Sequence, residues 1–243
     1  MILRLVICLL VACFIINAVL VAPNCMAAPT GIYMAGYDVK YTDLADDTQV
    51  TLWTPPYNIS QYGRSQFVRA IGPYVYWSTY YGDSATGGLW RSGMNGANAQ
   101  LLVPQADQVT RNIESYGGRV YWANEVAGAI YSANLDGSDV RTEISGYTGD
   151  GDGIVDFEIY NGRFYWTSWS SGYVSTTDLD GNDYRQFAPA NSGRVFAIEI
   201  DSGKMYLADH TGATMGIASY DLDGTNRSTL VSGRYALGMD IFD

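Results

Sequence analysis

The sequence predicts an all-β chain, a β-propeller of five four-stranded blades. Three observations predict it. An aromatic run returns about every 41–45 residues, a glycine-containing turn returns with the same period, and no ten-residue stretch after the N-terminal leader has helical periodicity. The tyrosine of the aromatic run falls at Tyr33, Tyr76, Tyr121, Tyr165 and Tyr206, in steps of 43, 45, 44 and 41. The turn falls at Asn95-Gly96, Asp136-Gly137, Asp180-Gly181 and Asp223-Gly224, in steps of 41, 44 and 43. Two independent markers that keep one period define a repeat.

Each repeat holds four short runs in which apolar residues alternate with polar ones. In the third repeat they are Arg111–Tyr116, Arg119–Ala123, Ala129–Ala133 and Val140–Ile144. β-Branched and aromatic residues fill them, and Gly, Asn or Asp separates them, as strands require. Asp-Gly is a favoured central pair of a two-residue hairpin, where both positions need φ > 0. The third and fourth runs are therefore expected to pair antiparallel. Four antiparallel strands per repeat of this length make a propeller blade.

The ends complement each other. Ala236–Phe242 matches the first run of a repeat, as in Phe196–Asp201, and no further runs follow it. Near the N-terminus, Ile32–Ala35, Val39–Thr42 and Gln49–Trp53 match second, third and fourth runs. One blade shared between the two termini would close the fold and leave no free edge. The other four blades are expected at 66–103, 110–144, 154–187 and 195–231, within a single domain spanning 29–243.

Residues 1–28 read as a targeting segment. Arg4 precedes an almost unbroken apolar stretch that ends in Met26-Ala27-Ala28, the pattern of a secretory signal cut near Ala27 or Ala28. Left uncleaved, the stretch would serve as a membrane anchor. Either way the domain is expected outside the cytoplasm, secreted or at the cell surface, and a membrane enters only if the segment is retained. All three cysteines, Cys8, Cys13 and Cys25, lie in this segment, so the rest of the chain has no disulfide and no thiol chemistry. From Ala28 onward the chain holds 13 basic and 25 acidic residues. Such a surface repels nucleic acid and anionic lipid, and it favours cations or basic partners.

Val120-Tyr121-Trp122-Ala123-Asn124, followed by Ile130–Asn134 and Leu135-Asp136-Gly137, resembles the YWTD repeat of the low-density-lipoprotein-receptor type of β-propeller. Phe164–Ser168 with Leu179-Asp180-Gly181, and Met205–Asp209 with Leu222-Asp223-Gly224, are further copies. The resemblance covers nearly all of the chain after the leader. It implies an extracellular propeller used mostly for binding, not catalysis, and the function expected here is a non-enzymatic module that recognises a protein or glycan at its loop face. The motif's final acid survives only as Asp209, with Asn124 a near match, and the family usually has six blades where the count here is five.

Three sets of residues are candidates for a site. Seven positions before each motif tyrosine stand Arg69, Glu114, Glu158 and Glu199, and the C-terminal run places Asp240 at the same point. Strand neighbours point to opposite faces. The preceding apolar residues (Val68, Ile113, Phe157, Ile198 and Met239) therefore pack between blades, and the charged set faces the other way. First strands border a propeller's channel, so four carboxylates and one arginine are expected around it. This set reads as a fold signature, as a Ca²⁺ site built of hard oxygens, or as the acid and base (or nucleophile) of a glycan hydrolase using Glu114, Glu158 and Glu199. The Gly-spaced Asp150 and Asp152, with Asp156, form a second cluster that reads either as a Ca²⁺ loop or as a polar turn. His210 is the only histidine, and no cysteine can join it, so a zinc site is not expected.

The third set is aromatic. Tyr76/Trp77, Tyr121/Trp122 and Tyr165/Trp166 recur by blade and belong to packing. Tyr80, Tyr81, Trp169 and Tyr147 do not recur. They fall in connections between second and third strands, or between one blade and the next, and these share one end of the sheets. Such residues suit contact with a peptide or a sugar.

Overall fold

A computed structural model of the chain describes residues 4–7, 17–20, 31–35, 38–43, 46–54, 65–79, 87–104, 110–147, 153–168, 172–189, 194–209, 215–234 and 239–242. Among them every regular element is a strand. The first sheet runs Asn17–Leu20 (β2), Gly31–Ala35 (β3), Val39–Asp43 (β4), Gln49–Trp53 (β5). The second runs Ser65–Ile71 (β6), Tyr74–Thr79 (β7), Gly88–Gly93 (β8), Gln100–Pro104 (β9). The third is Thr110–Tyr116 (β10), Arg119–Asn124 (β11), Ala129–Asn134 (β12), Arg141–Ile144 (β13). The fourth is Ile154–Tyr160 (β14), Arg163–Ser168 (β15), Val174–Asp178 (β16), Arg185–Phe187 (β17). The fifth is Val195–Asp201 (β18), Lys204–Asp209 (β19), Gly216–Asp221 (β20), Ser228–Ser232 (β21). Arg4–Ile7 (β1) pairs with Met239–Phe242 (β22) in a separate two-stranded sheet.

The four internal blades thus stand where the repeat put them. The shared blade does not. Here the first strand of the first sheet is β2, from the leader, and β22 has β1 as its partner. Ala18-Val19-Leu20 and Leu5-Val6-Ile7 are short apolar runs suited to a ladder, and each covers an edge that would otherwise expose unpaired backbone groups.

The chain groups into two compact units, divided within β11 after Trp122. The N-terminal unit comprises Ala12–Trp122 with Ala133–Val140, and the C-terminal unit Met1–Val11, Ala123–Ser132 and Arg141–Asp243. In the N-terminal unit Val39, Leu52, Trp53, Val68, Val75 and Trp77 are buried together, and Trp90 packs against them. The Trp77 and Trp90 rings are stacked, with centroids 6.1 Å apart. In the C-terminal unit Tyr165, Val174, Val195, Ile198, Met205, Leu207, Ala218 and Tyr220 form the corresponding core. The motif aromatics are therefore packing residues, as their recurrence predicts.

The hairpins between third and fourth strands form, with one correction to their expected geometry. Gly137 N–H donates to the Asn134 carbonyl at 2.9 Å, and Asn134 N–H to the Ser138 carbonyl at 2.9 Å. The same pair of bonds recurs at Gly96, Gly181 and Gly224. Of each Asp-Gly (or Asn-Gly) pair only the glycine has positive φ, 78° to 85°. This is a three-residue loop with a glycine bulge, not a two-residue turn. A second positive φ, 50° to 57°, falls two residues later at Asn98, Asp139, Asp183 and Asn226, where Asn and Asp tolerate it. Arg119 bridges to Asp139 and Arg163 to Asp183, each at 3.0 Å, tying the second strand to the turn. The glycine also lets the turn sit against the preceding sheet: a Cβ on Gly96 would lie 2.8 Å from the Leu52 carbonyl oxygen.

Candidate functional site

In the N-terminal unit, Arg69 and Glu114 come together. They stand on the first strands of adjacent sheets, β6 and β10, and form an ion pair at 2.9 Å. Glu114 is 4 % exposed. Arg69 lies directly opposite Tyr76 in the β6–β7 ladder. In the C-terminal unit Glu158 is opposite Tyr165 and Glu199 opposite Tyr206, so the seven-residue spacing corresponds to a cross-strand pair. Glu158 is buried and Glu199 half-buried. Asp240 lies in β22, opposite Val6. Among the described residues no three His, Cys, Asp or Glu side chains group closely enough to hold a metal ion.

Asp156 is committed to the backbone. It sits at an irregularity of the β14–β15 ladder, between Ile154 and Asp156. Its Oδ1 accepts the N–H of Phe157 at 2.9 Å and its Oδ2 accepts the N–H of Ile198 at 2.9 Å. The carboxylate therefore staples β14 to β18, the first strands of the fourth and fifth sheets. Asn112 holds the matching position in β10 and bonds the N–H of Ile113 at 2.7 Å. Asp150 and Asp152, grouped with Asp156 in the sequence, lie outside the described residues, as do Trp169, Tyr80, Tyr81 and His210.

Tyr147 is described, in the connection from β13 to β14. Its N–H donates to the Gly128 carbonyl at 3.0 Å, joining that connection to the turn between β11 and β12. Gly233 N–H bonds the Met215 carbonyl in the same way beside the fifth sheet, at 2.8 Å. In the C-terminal unit these two kinds of connection thus share one end of the sheets. The Tyr147 ring is T-shaped to buried Trp166 at 4.9 Å and stacked on Tyr184 at 5.3 Å. Burial pushes its hydroxyl pKa above the ordinary tyrosine value. Tyr147 is therefore half a packing residue and not the free contact expected.

Two residues at that end were missed. Val126, in the β11–β12 turn, is 64 % exposed, and Tyr173, just before β16, is 38 % exposed. Tyr173 meets the criterion that selected Trp169, a non-recurring aromatic between second and third strands. Val126 carries no aromatic signal and shows itself only through exposure. The turn that presents it is held firmly. Asn124 Oδ1 accepts the Ala127 N–H at 2.8 Å, and Gly153 approaches so closely that a Cβ would lie 1.3 Å from the Glu125 carbonyl oxygen.

No protein-family model matches the chain, and no curated protein matches it by sequence. Solved structures match by fold. The nidogen/laminin complex contains a chain that is 13 % identical, with 87 % of this chain and 80 % of that one covered at a TM-score of 0.66. YCF48 bound to D1 peptide is 15 % identical over 84 % of this chain and 66 % of that one, with a TM-score of 0.58. The computationally designed Ika8 protein is 11 % identical over 87 % of this chain and 62 % of that one, with a TM-score of 0.57. The chain has the fold of a YWTD-type β-propeller. Its blades are the five four-stranded sheets, and its motif tyrosines stand on their second strands.

Proposed function

We propose that this propeller is an exported, non-enzymatic recognition module that binds a protein segment. The contact surface lies at the end of the sheets where second-to-third-strand turns and blade-to-blade connections meet. The carrying observation is the exposure of Val126, on a turn anchored by backbone hydrogen bonds, and of Tyr173, just before β16 of the adjacent sheet, both in the C-terminal unit. Rigid turns present apolar side chains at low entropic cost, the property that makes a contact surface effective. Tyr147 borders the same end, and the connecting segments place Trp169 in this set by sequence. Tyr80 and Tyr81 fall in the matching connection of the second sheet. The opposite ends of the sheets carry the repeating Asp turns, whose acids are occupied internally: Asp136 with Ser138, Asp183 with Arg163 and Arg185, Asp223 with Thr225.

Two of the fold neighbours are named as complexes, one with laminin and one with a D1 peptide, which agrees with a protein ligand. The test is selection from a displayed random-peptide library against the purified protein. Peptides that bind it are expected to lose affinity at least about tenfold, roughly 1.4 kcal/mol, for Val126→Ser combined with Tyr173→Ala. Unchanged affinity in that variant would overturn this surface.

A further inference from the structure

β5, β9, β13, β17 and β21 are the last strands of their sheets. An end strand presents a row of backbone groups with which a strand of another chain can pair, and proteins blunt such edges with charge, proline or short length. β9 ends in Pro104, β13 carries Arg141 and Glu143, and β17 is three residues long with Arg185. β21, Ser-Thr-Leu-Val-Ser, has none of these devices. Its ladder sets Ile217 opposite Val231 and Ala218 opposite Thr229, so Leu230 falls between them and is 42 % exposed. A second copy of the chain could pair on this edge, β21 on β21, with no opposing charge within the strand.

The chain holds two Asn-x-Ser/Thr sequences, the acceptor pattern for an N-linked glycan. One, Asn226-Arg227-Ser228, runs straight into β21, whose first residue is Ser228. The other, Asn58-Ile59-Ser60, lies outside the described residues, five positions after β5, which also has neither charge nor proline. The turn positions matching Asn226 are Asn98, Asp139 and Asp183, and none of them begins such a sequence. Asn226 and Ser228 are exposed. Nδ2 of Asn226 donates to Oδ2 of Asp221 at 2.5 Å, which uses one of its two hydrogens. Arg227, between them, is folded onto the sheet, donating to the Tyr220 hydroxyl at 3.1 Å and to Thr229 Oγ1 at 2.6 Å.

We propose that Asn226 carries an N-linked glycan, and that this glycan shields the β21 edge from a second strand. The proposal rests on the export argued above. In the transfer, Nδ2 bonds to the anomeric carbon of an oligosaccharide held on a lipid pyrophosphate, the bond from that carbon to the pyrophosphate breaks, and one amide proton leaves. The remaining Nδ2 hydrogen keeps the bond to Asp221. That bond fixes the direction in which the sugar leaves the turn, at the start of the strand it covers. A bulky, solubilising group there serves the purpose that charge and proline serve on β9 and β13.

The full chain is secreted from a eukaryotic culture twice, once with its own leader and once with the host's. Absence of the first product alone from the medium refutes export by this leader and leaves Asn226 to be read in the second. Peptide N-glycosidase in heavy-oxygen water is expected to turn Asn226 into labelled aspartate, read by mass spectrometry. Ser228→Ala should abolish the label while sparing the Asp221 bond, and Ser228→Thr should keep it. An unlabelled Asn226 in the host-leader product overturns the proposal. Sedimentation reads the shielding. The glycosylated protein is expected to stay monomeric and Ser228→Ala to self-associate, with Leu230→Lys added to Ser228→Ala restoring the monomer. A Ser228→Ala protein as monomeric as the glycosylated one would overturn the shielding.

Discussion

The hydroxyl of Tyr76 donates a 2.6 Å hydrogen bond to the backbone carbonyl of Leu135, 59 positions further along the chain. Arg91 donates to the same carbonyl at 2.5 Å, and its guanidinium lies 4.3 Å from the centre of the Tyr74 ring. The motif tyrosine of the second sheet thus reaches the Leu-Asp-Gly turn of the third, and both markers of the repeat meet in one contact. Tyr76→Phe is expected to cost about 0.5–1.5 kcal/mol, the net value of one hydrogen bond. Arg91→Met, which also loses the ring contact, should cost more. The double variant should exceed the sum of the singles, because either donor alone still satisfies the Leu135 carbonyl and only the double variant leaves it without both. Urea unfolding of the four proteins measures all three terms.

The Arg69–Glu114 pair makes a second test. Arg69→Met leaves the Glu114 carboxylate buried without its countercharge. The expected loss is about 2–3 kcal/mol, below the value for a fully buried pair because Arg69 is itself partly exposed. Arg69→Met with Glu114→Leu should recover most of that loss. A double variant as unstable as the single would show that the ion pair is not the source of the cost.

Asp156→Ala removes the acceptor of two backbone N–H groups and strands that of Ile198 in a packed interface. A cost of about 1.5–3 kcal/mol follows from hydrogen bonds to a charged group. Amide hydrogen exchange should quicken first at Ile198 and Phe157. Asp156→Asn keeps one acceptor oxygen, as Asn112 does at the matching position, and should retain part of the stability.

Gly153→Ala should be among the most damaging single-methyl additions. The added carbon would lie 1.3 Å from the Glu125 carbonyl oxygen, so the turn carrying Val126 must move. Overpacking of this kind costs about 1–3 kcal/mol. Gly146→Ala meets no atom within 4 Å and strains only its own φ of +85°. Thermal melts of the two variants should rank Gly153→Ala lower, and only that variant should weaken peptide binding as well.

Burial raises the pKa of the Tyr76, Tyr147 and Tyr220 hydroxyls above the ordinary value. The unfolded chain therefore ionises first as pH rises. The stability tied to these groups is fully present below their unfolded pKa of about 10 and is lost as pH climbs through the higher folded values. Absorbance titration of the folded protein should show late-ionising tyrosines. Tyr220→Phe should flatten the alkaline fall in stability, and an unchanged slope would refute its share.

Much of the fold was legible in the sequence. A motif tyrosine and a turn glycine kept one period because each blade repeats the same packing problem. The turn's detail was not legible: Asp-Gly serves two hairpin geometries, and ladder pairing chooses between them. The role of Asp156 was not legible for a related reason. Its neighbours Asp150 and Asp152 suggested a shared task, whereas its place at a ladder irregularity gave it two backbone donors, one of them 42 residues away. Tyr147 and Tyr173 carry the same compositional signal, yet the Tyr147 ring is stacked on Tyr184 while Tyr173 is 38 % exposed.

By itself the sequence determined the repeat, the strand order of the four internal blades and the residues that fill their cores. Those properties follow from local alternation and from a period that two markers share. The tertiary structure decided which charged groups meet, which aromatic rings pack against one another, and which strand completes the first sheet. Each depends on partners far apart in the chain. Asn17–Leu20 and Met239–Phe242 both read as acceptable strands, and only the pairing of edges distinguishes the one now held by β3 from the one held by β1.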